Sequence, residues 1–171
     1  RNVDKKTKFC NFVFSNNAGR RMEILNALSS YKTVDCAGPL ANNMKWKIPG
    51  RGDQRHKVDF LKDYKFTIAA ENTKTSGYTT EKIIHPLSVG SIPIYWGSPT
   101  VEEDFNLECF INVDDFKTPK ELLEFITMVD NDKNLAEKYT QAPVFSNGEI
   151  PESVRPENVL KFFEESILCS L

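Results

Sequence analysis

The residues best placed to do chemistry lie in one short stretch, Tyr78-Thr79-Thr80-Glu81-Lys82, where a polar loop gives way to a helical apolar pattern. A helix opening here presents backbone N–H groups with no intrahelical partner and the positive end of its dipole, which together suit a phosphate or diphosphate. Thr79 or Thr80 supplies the N-cap. Lys82 sits in the first turn, where the dipole favours acids over cations. A lysine there makes better sense beside a bound anion, although a solvated lysine at a helix start is the competing reading. Glu81 has the opposite ambiguity, since an acid in the first turn stabilises the helix with no ligand at all. Arg20 and Arg21 follow another strand-like run. In a parallel sheet the two strand ends face the same edge, so a second cation could converge on the same anion.

Other chemistries find little support. The only G-x-G is Gly50-Arg51-Gly52, with Arg55 where a third glycine belongs and no convincing strand before it, which disfavours a dinucleotide fingerprint. No G-K-[ST], G-x-S-x-G or H-E-x-x-H occurs, so P-loop, hydrolase-elbow and zincin chemistry drop out. His56 and His85 are not spaced as a metal pair, and Asp114-Asp115 are adjacent acids that read as turn formers. No metal site and no cofactor are expected. The four cysteines, Cys10, Cys36, Cys109 and Cys169, form no C-x-x-C. They read as buried free thiols, which leans toward a reducing compartment.

These residues need a scaffold to position them. Tyr64 to Pro99 reads as strand, Gly-containing loop, helix and second strand, a βαβ unit whose ligand crevice lies beyond the carboxyl ends of its strands. The first strand of the unit is the apolar run Phe66 to Ala70, and the second is Ile92 to Trp96. Pro86 falls inside the crossover helix and predicts its end or a kink near His85. Upstream, Lys8 to Ser15 alternates as a strand, Arg20 onward carries Ile24, Leu25, Leu28 and Tyr31 on one helical face, and Thr33 to Ala37 is a short strand. Pro39 to Arg55 reads as a long surface loop and Lys57 to Asp63 as a short helix or turn leading into the strand at Phe66.

Downstream come one helical turn at Val101–Phe105, a strand at Cys109–Val113, and an amphipathic helix with Leu122, Phe125, Ile126 and Val129 on one face. Thr118, Pro119 and Glu121 give that helix a capping-box start. A more polar helix spans Asp132 to Gln141, Ala142 to Arg155 is irregular, and a terminal helix runs from Pro156 to Leu168 with Val159, Leu160, Phe163 and Ile167 as its apolar face. Strands alternating with helices argue for an α/β, doubly wound, Rossmann-like parallel sheet. With 171 residues and no linker or repeat, one domain covers the chain. A net charge of −2 gives no argument for nucleic acid, and no apolar run is long enough to span a bilayer. The opening Arg1-Asn2-Val3-Asp4 carries no signal-peptide pattern and fits a piece of a longer protein.

The central stretch resembles the donor-site region of the family ten glycosyltransferases, the α-1,3/4-fucosyltransferases. The family pattern there is Y-K-F-x-L-x-F-E-N-S, then Y-V-T-E-K-[IL], then G-x-[IV]-P-[IV]-x-x-G-[SA]-P and S-F-I-x-V-x-D-F. The matching residues are Tyr64-Lys65-Phe66, Glu71-Asn72-Thr73, Tyr78 to Ile83, Ile92 to Pro99 and Cys109 to Phe116. Ala70, Thr79 and Cys109 depart from the commoner residues at their positions. The resemblance implies the C-terminal, GDP-fucose-binding domain of a two-domain GT-B enzyme, with the acceptor domain outside residues 1–171. It implies that Arg21 and Lys82 neutralise the diphosphate, that Glu81 contacts the fucose or ribose side, and that Asn72 and Tyr78 line the pocket. The implied reaction is an inverting transfer without metal to an N-acetylglucosamine-containing glycan, with the catalytic base in the other domain. The wording Ile-Pro-Ile-Tyr-Trp-Gly-Ser-Pro is closest to bacterial members, implying a cytoplasmic enzyme with peripheral membrane association in the full-length protein; a Golgi lumen location is the eukaryotic alternative. A non-catalytic nucleotide-sugar-binding module, or a transferase using another nucleotide sugar, are the other readings.

Overall fold

Runs that are apolar on both faces belong in strands covered on both sides, as in the two runs Phe66 to Ala70 and Ile92 to Trp96, and five strands form the core of the computed structural model, which describes residues 3–49 and 54–166. They are β1 (Lys8–Phe12), β2 (Val34–Cys36), β3 (Tyr64–Ala70), β4 (Ile92–Trp96) and β5 (Ile111–Asn112), in the order β2-β1-β3-β4-β5. Every pairing is parallel, with Phe12 opposite Cys36, Cys10 opposite Phe66 and Ile68 opposite Ile94. The chain therefore winds outward from β1 in one direction, then returns to wind the other way from β3. The sheet's topological switch point lies between those two strands.

Helices cover both faces. Ile24, Leu25 and Leu28 of α1 (Arg21–Ser29) pack with Leu122, Ile126 and Val129 of α4 (Pro119–Asn131) and Ala136 of α5 (Lys133–Gln141) on the face carrying Cys10, Phe12, Phe66, Ile68, Ile92 and Ile94. The other face holds α2 (Arg55–Leu61) against α3 (Glu81–Val89), with Ile83 and Leu87 packed on Ala69 and Tyr95. Each fully buried Ile or Leu contributes about 1.5–3 kcal/mol. The α/β, doubly wound architecture is the expected one.

Local details differ from expectation for physical reasons. The crossover helix does not end near His85: α3 continues through Pro86 to Val89, and Gly90 at φ 70° closes it with its N–H on the Leu87 and Pro86 carbonyls. Pro86 is buried, so its packing outweighs the one lost backbone bond. Tyr31 lies past the end of α1, where its ring meets Phe9 edge-on at 5.5 Å. The run Cys109–Val113 is a strand only at Ile111–Asn112, flanked by 3₁₀ turns at Leu107–Cys109 and Val113–Asp115. At α4 the Thr118 hydroxyl accepts from the Glu121 N–H at 3.2 Å, while the Glu121 carboxylate takes the Lys117 N–H at 2.9 Å rather than that of Thr118. The terminal helix α6 spans Pro156–Ser166. Gly50-Arg51-Gly52, the Phe163 side chain, and Ile167, Leu168 and Cys169 lie outside the described residues. Cys10 and Cys36 are buried free thiols, and Cys109 is buried as well. Burial pushes the Cys36 thiol up to about 11 and Cys10 higher still, as suits inert structural thiols.

Candidate functional site

A cleft of about 310 Å³ opens at the carboxyl ends of β1 and β3, at the switch point. One wall is apolar, made by Val13 and Phe14 after β1, Pro39 after β2, and Ile48 and Pro49 of the long loop. That loop is tied down. The Asn43 side chain accepts from the Cys36 N–H at 2.8 Å and donates to the Val34 carbonyl at 2.9 Å, and the Ile48 N–H reaches the Ala37 carbonyl at 2.9 Å. The opposite wall is charged and polar, carrying Arg21, Asn72, Glu81, Lys82 and Lys57.

The start of α3 is fastened to the end of β3 by Glu71, which is 0% exposed. Its carboxylate accepts the Thr80 N–H at 2.9 Å and the Thr80 hydroxyl at 2.8 Å, and lies 2.9 Å from the Lys82 ammonium. Thr80 occupies the N-cap position in extended geometry, but its hydroxyl donates to Glu71 and makes no capping bond to the helix. The Thr80 side chain thus leaves the first-turn N–H donors of α3 uncapped at the crevice end of the sheet. Lys82 also donates to the Thr80 hydroxyl oxygen at 2.9 Å and stands 3.6 Å from Glu81. The anion that a first-turn lysine calls for is therefore supplied in the first instance by the protein itself. Glu81 is held below the usual carboxylate range: burial raises it, but Lys82, Lys57 and hydrogen bonds to the charged form outweigh that.

Arg21 is only 2% exposed. Its guanidinium lies over the Phe14 ring, 4.2 Å from the centroid, and every N–H is used. Nε and Nη2 donate to the Ala70 carbonyl, Nη2 also to Asn72 Oδ1 at 2.6 Å, and Nη1 to the carbonyl and side-chain oxygens of Asn16. It locks the loops after β1 and β3 to one another across the switch point. Arg20 faces away, paired with Glu23 and 3.8 Å from Asp114.

Of the five residues expected to bind ligand, Arg21, Asn72, Glu81 and Lys82 line the cleft. Tyr78 is half-buried on the loop before α3, its N–H on the Thr75 carbonyl, and is not part of the lining. Two residues of this wall escape a reading of the sequence as sites. Glu71 stands in the Glu-Asn motif after β3 but is silent about its partners, and Lys57 begins α2 with no local pattern to single it out. Asp114 pairs with Lys74 at 2.8 Å. Among the described residues no group of three or more His, Cys, Asp or Glu side chains converges to hold a metal, and no helix is long and apolar enough to cross a membrane.

Comparison with known proteins places this geometry. Residues 3–143 match the family model of glycosyltransferase family 10 (fucosyltransferase), C-terminal part. The alpha-(1,3)-fucosyltransferase FucT of Helicobacter pylori is 41% identical over 130 residues, covering 75% of this chain and 26% of that protein. A putative fucosyltransferase of Acanthamoeba polyphaga mimivirus is 31% identical over 163 residues, covering 92% of this chain and 27% of the relative. A crystal structure of an alpha1,3-fucosyltransferase with GDP-fucose superposes with a TM-score of 0.81 at 33% identity, covering 96% of this chain and 48% of that one. The chain thus spans about a quarter of the length of these curated relatives and about half of the solved structure.

Proposed function

The chain belongs to glycosyltransferase family 10, the fucosyltransferases, and from that premise we propose that it is the donor-binding half of an inverting α-1,3/4-fucosyltransferase. Its substrate is GDP-fucose, and the acceptor is a glycan that contains N-acetylglucosamine. The observation that carries this reading is the start of α3, which the Thr80 side chain does not cap, at a cleft at the β1/β3 switch point that is apolar on one side and charged on the other. A nucleoside fits against Phe14, Ile48 and Pro49. Its diphosphate then meets the α3 N–H groups and the field of Arg21, Lys57 and Lys82.

In the transfer, the bond from the fucose anomeric carbon to the diphosphate oxygen breaks as an acceptor hydroxyl oxygen attacks from the opposite face. Positive charge grows on the sugar and negative charge on the leaving GDP, where fixed cations and helix donors stabilise it without reorganising. No residue of this chain is assigned as the base. Glu81 is the carboxylate of the cleft, and its lowered pKa makes it a weak proton acceptor. The proposal places the base in a domain outside this chain.

Calorimetric titration with GDP-fucose, GDP-mannose and a uridine-diphosphate sugar tests the reading. GDP-fucose should bind most tightly. Tighter binding of either competitor rejects the fucose assignment, and no binding of any guanosine diphosphate rejects the site.

A further inference from the structure

The sequence contains one asparagine followed directly by glycine, Asn147-Gly148. A backbone amide nitrogen can attack the side-chain carbonyl of the asparagine before it, and glycine, with no Cβ, obstructs that approach least. The pair lies in the segment after α5. Asn147, Gly148 and Glu149 are exposed, Gly148 has φ 73°, and a Cβ built on it meets no atom within 4 Å. The anchoring of this segment stops one residue short of the pair. The Ser146 N–H donates to the Asp104 carbonyl at 3.3 Å, its hydroxyl to the Glu102 carbonyl at 2.6 Å, and the Phe145 ring lies 5.9 Å from that of Phe105. The Gly148 N–H donates to the Phe145 carbonyl at 2.9 Å, and a bond on so exposed a turn opens locally, without global unfolding. Asn and Gly are also ordinary turn formers, a role that explains where the pair sits and leaves its chemistry unchanged.

We propose that Asn147 is a site of spontaneous covalent modification, converting to aspartate and isoaspartate in the folded chain. Solvent base removes the Gly148 amide proton, and the nitrogen forms a bond to Asn147 Cγ. The Cγ–Nδ2 bond breaks, and ammonia leaves with a proton from solvent as a succinimide ring closes. Water then adds to one of the two ring carbonyls, and opening the ring gives aspartate or isoaspartate at position 147. Either product puts a new carboxylate beside Glu149, which pairs with Arg155 at 3.0 Å. Isoaspartate also routes the backbone through Cβ, one carbon longer, so the turn from Phe145 to Gly148 cannot close as before. The chain beyond that turn carries Pro151 and Val154, which line an apolar cavity of about 470 Å³ together with Phe105 and Phe145. The modification therefore loosens one wall of that cavity.

The test ages the full 171-residue chain at alkaline pH, folded and in urea, as wild type, Asn147→Gln and Gly148→Ala. Peptide mapping by mass spectrometry reads the exchange of amide for acid, chromatography separates the two products, and a dye that fluoresces on apolar surface reports the cavity. Folded wild type should convert at Asn147 ahead of every other asparagine, more slowly than the urea-unfolded chain, with isoaspartate the larger product. Gly148→Ala, compared in urea so that strain at its positive φ has no bearing, should slow the conversion about tenfold by crowding the attacking nitrogen. Aged wild type should bind more dye than fresh protein, and aged Asn147→Gln should not. Another asparagine reacting first overturns the proposal. So does a Gly148→Ala rate within twofold of wild type, or a folded chain that stays intact while the unfolded one reacts. Equal dye binding before and after full conversion overturns the loosening of the cavity wall.

Discussion

Replacing Glu71 with Gln asks whether a buried ion pair sets the start of α3. The carboxylate is 0% exposed and holds Thr80 through two donors at 2.8–2.9 Å and Lys82 at 2.9 Å. Gln keeps one carbonyl oxygen for Thr80 but turns an NH₂ toward the Lys82 ammonium, donor against donor. Losing a hydrogen bond to a charged group costs about 1.5–3 kcal/mol, and stranding one partner of a buried pair about 3–5 kcal/mol. Lys82 keeps Glu81 at 3.6 Å, so the expected loss for Glu71→Gln is about 2–3 kcal/mol, near the hydrogen-bond end of those ranges. At roughly 2–4 °C per kcal/mol for a domain of this size, the thermal midpoint falls by roughly 4–12 °C. The decisive assay is a double-mutant cycle with Lys82→Met, followed by urea unfolding. Removing the stranded cation should restore part of the stability, giving a coupling energy of about 1–3 kcal/mol. Single effects that add to within about 0.5 kcal/mol, the usual behaviour of independent sites, would refute the pair as the fastening.

Lys82→Ala should weaken GDP binding by about 1.5–3 kcal/mol and also destabilise the ligand-free chain, because it leaves the Glu71 carboxylate buried and unpaired; unchanged GDP affinity would remove Lys82 from the diphosphate site. Gly97→Ala should cost about 1–3 kcal/mol by overpacking, since its Cβ would lie 2.5 Å from the Tyr95 hydroxyl and 2.6 Å from Glu71 Cγ; a wild-type urea midpoint would show that both neighbours can yield. Asp130 is held below its usual 3.8, burial raising it but Lys32 and Lys65 winning. Its stabilising contribution is therefore complete above that value and lost as pH falls through the folded one, where the unfolded chain binds more protons. Asp130→Asn should cost about 1–2 kcal/mol at pH 7, discounted from a buried charged bond because Lys32 is exposed, and should flatten the acid limb of the stability curve below about pH 4; an unchanged acid limb would contradict the assignment.

The strands were legible because a parallel sheet covered on both faces requires apolar runs, and β1, β3 and β4 supply them. Their ends were not, because distant groups decide them. Tyr64 and Lys65 extend β3 past the apolar run Phe66–Ala70: the Lys65 ammonium reaches the Asp130 carbonyl at 2.7 Å and its carboxylate at 3.3 Å, so a charged residue is satisfied at the sheet's lower edge. The run Cys109–Val113 shrinks to two strand residues for a local reason that its sequence does contain. Asn106 and Asn112 turn their side chains onto the Glu108 and Asp114 N–H groups at 3.0 and 3.2 Å. Short polar side chains that bond the backbone nearby compete with a ladder, and on an edge strand with one partner they win.

The charge argument at Lys82 shows where a local reading stops. A cation in the first turn of a helix does need a compensating anion, and that inference is sound from the dipole alone. What helix periodicity cannot show is that the chain already carries the anion on the preceding strand. Glu71 and Lys82 meet only because β3 and α3 belong to one βαβ unit and both end at the crevice.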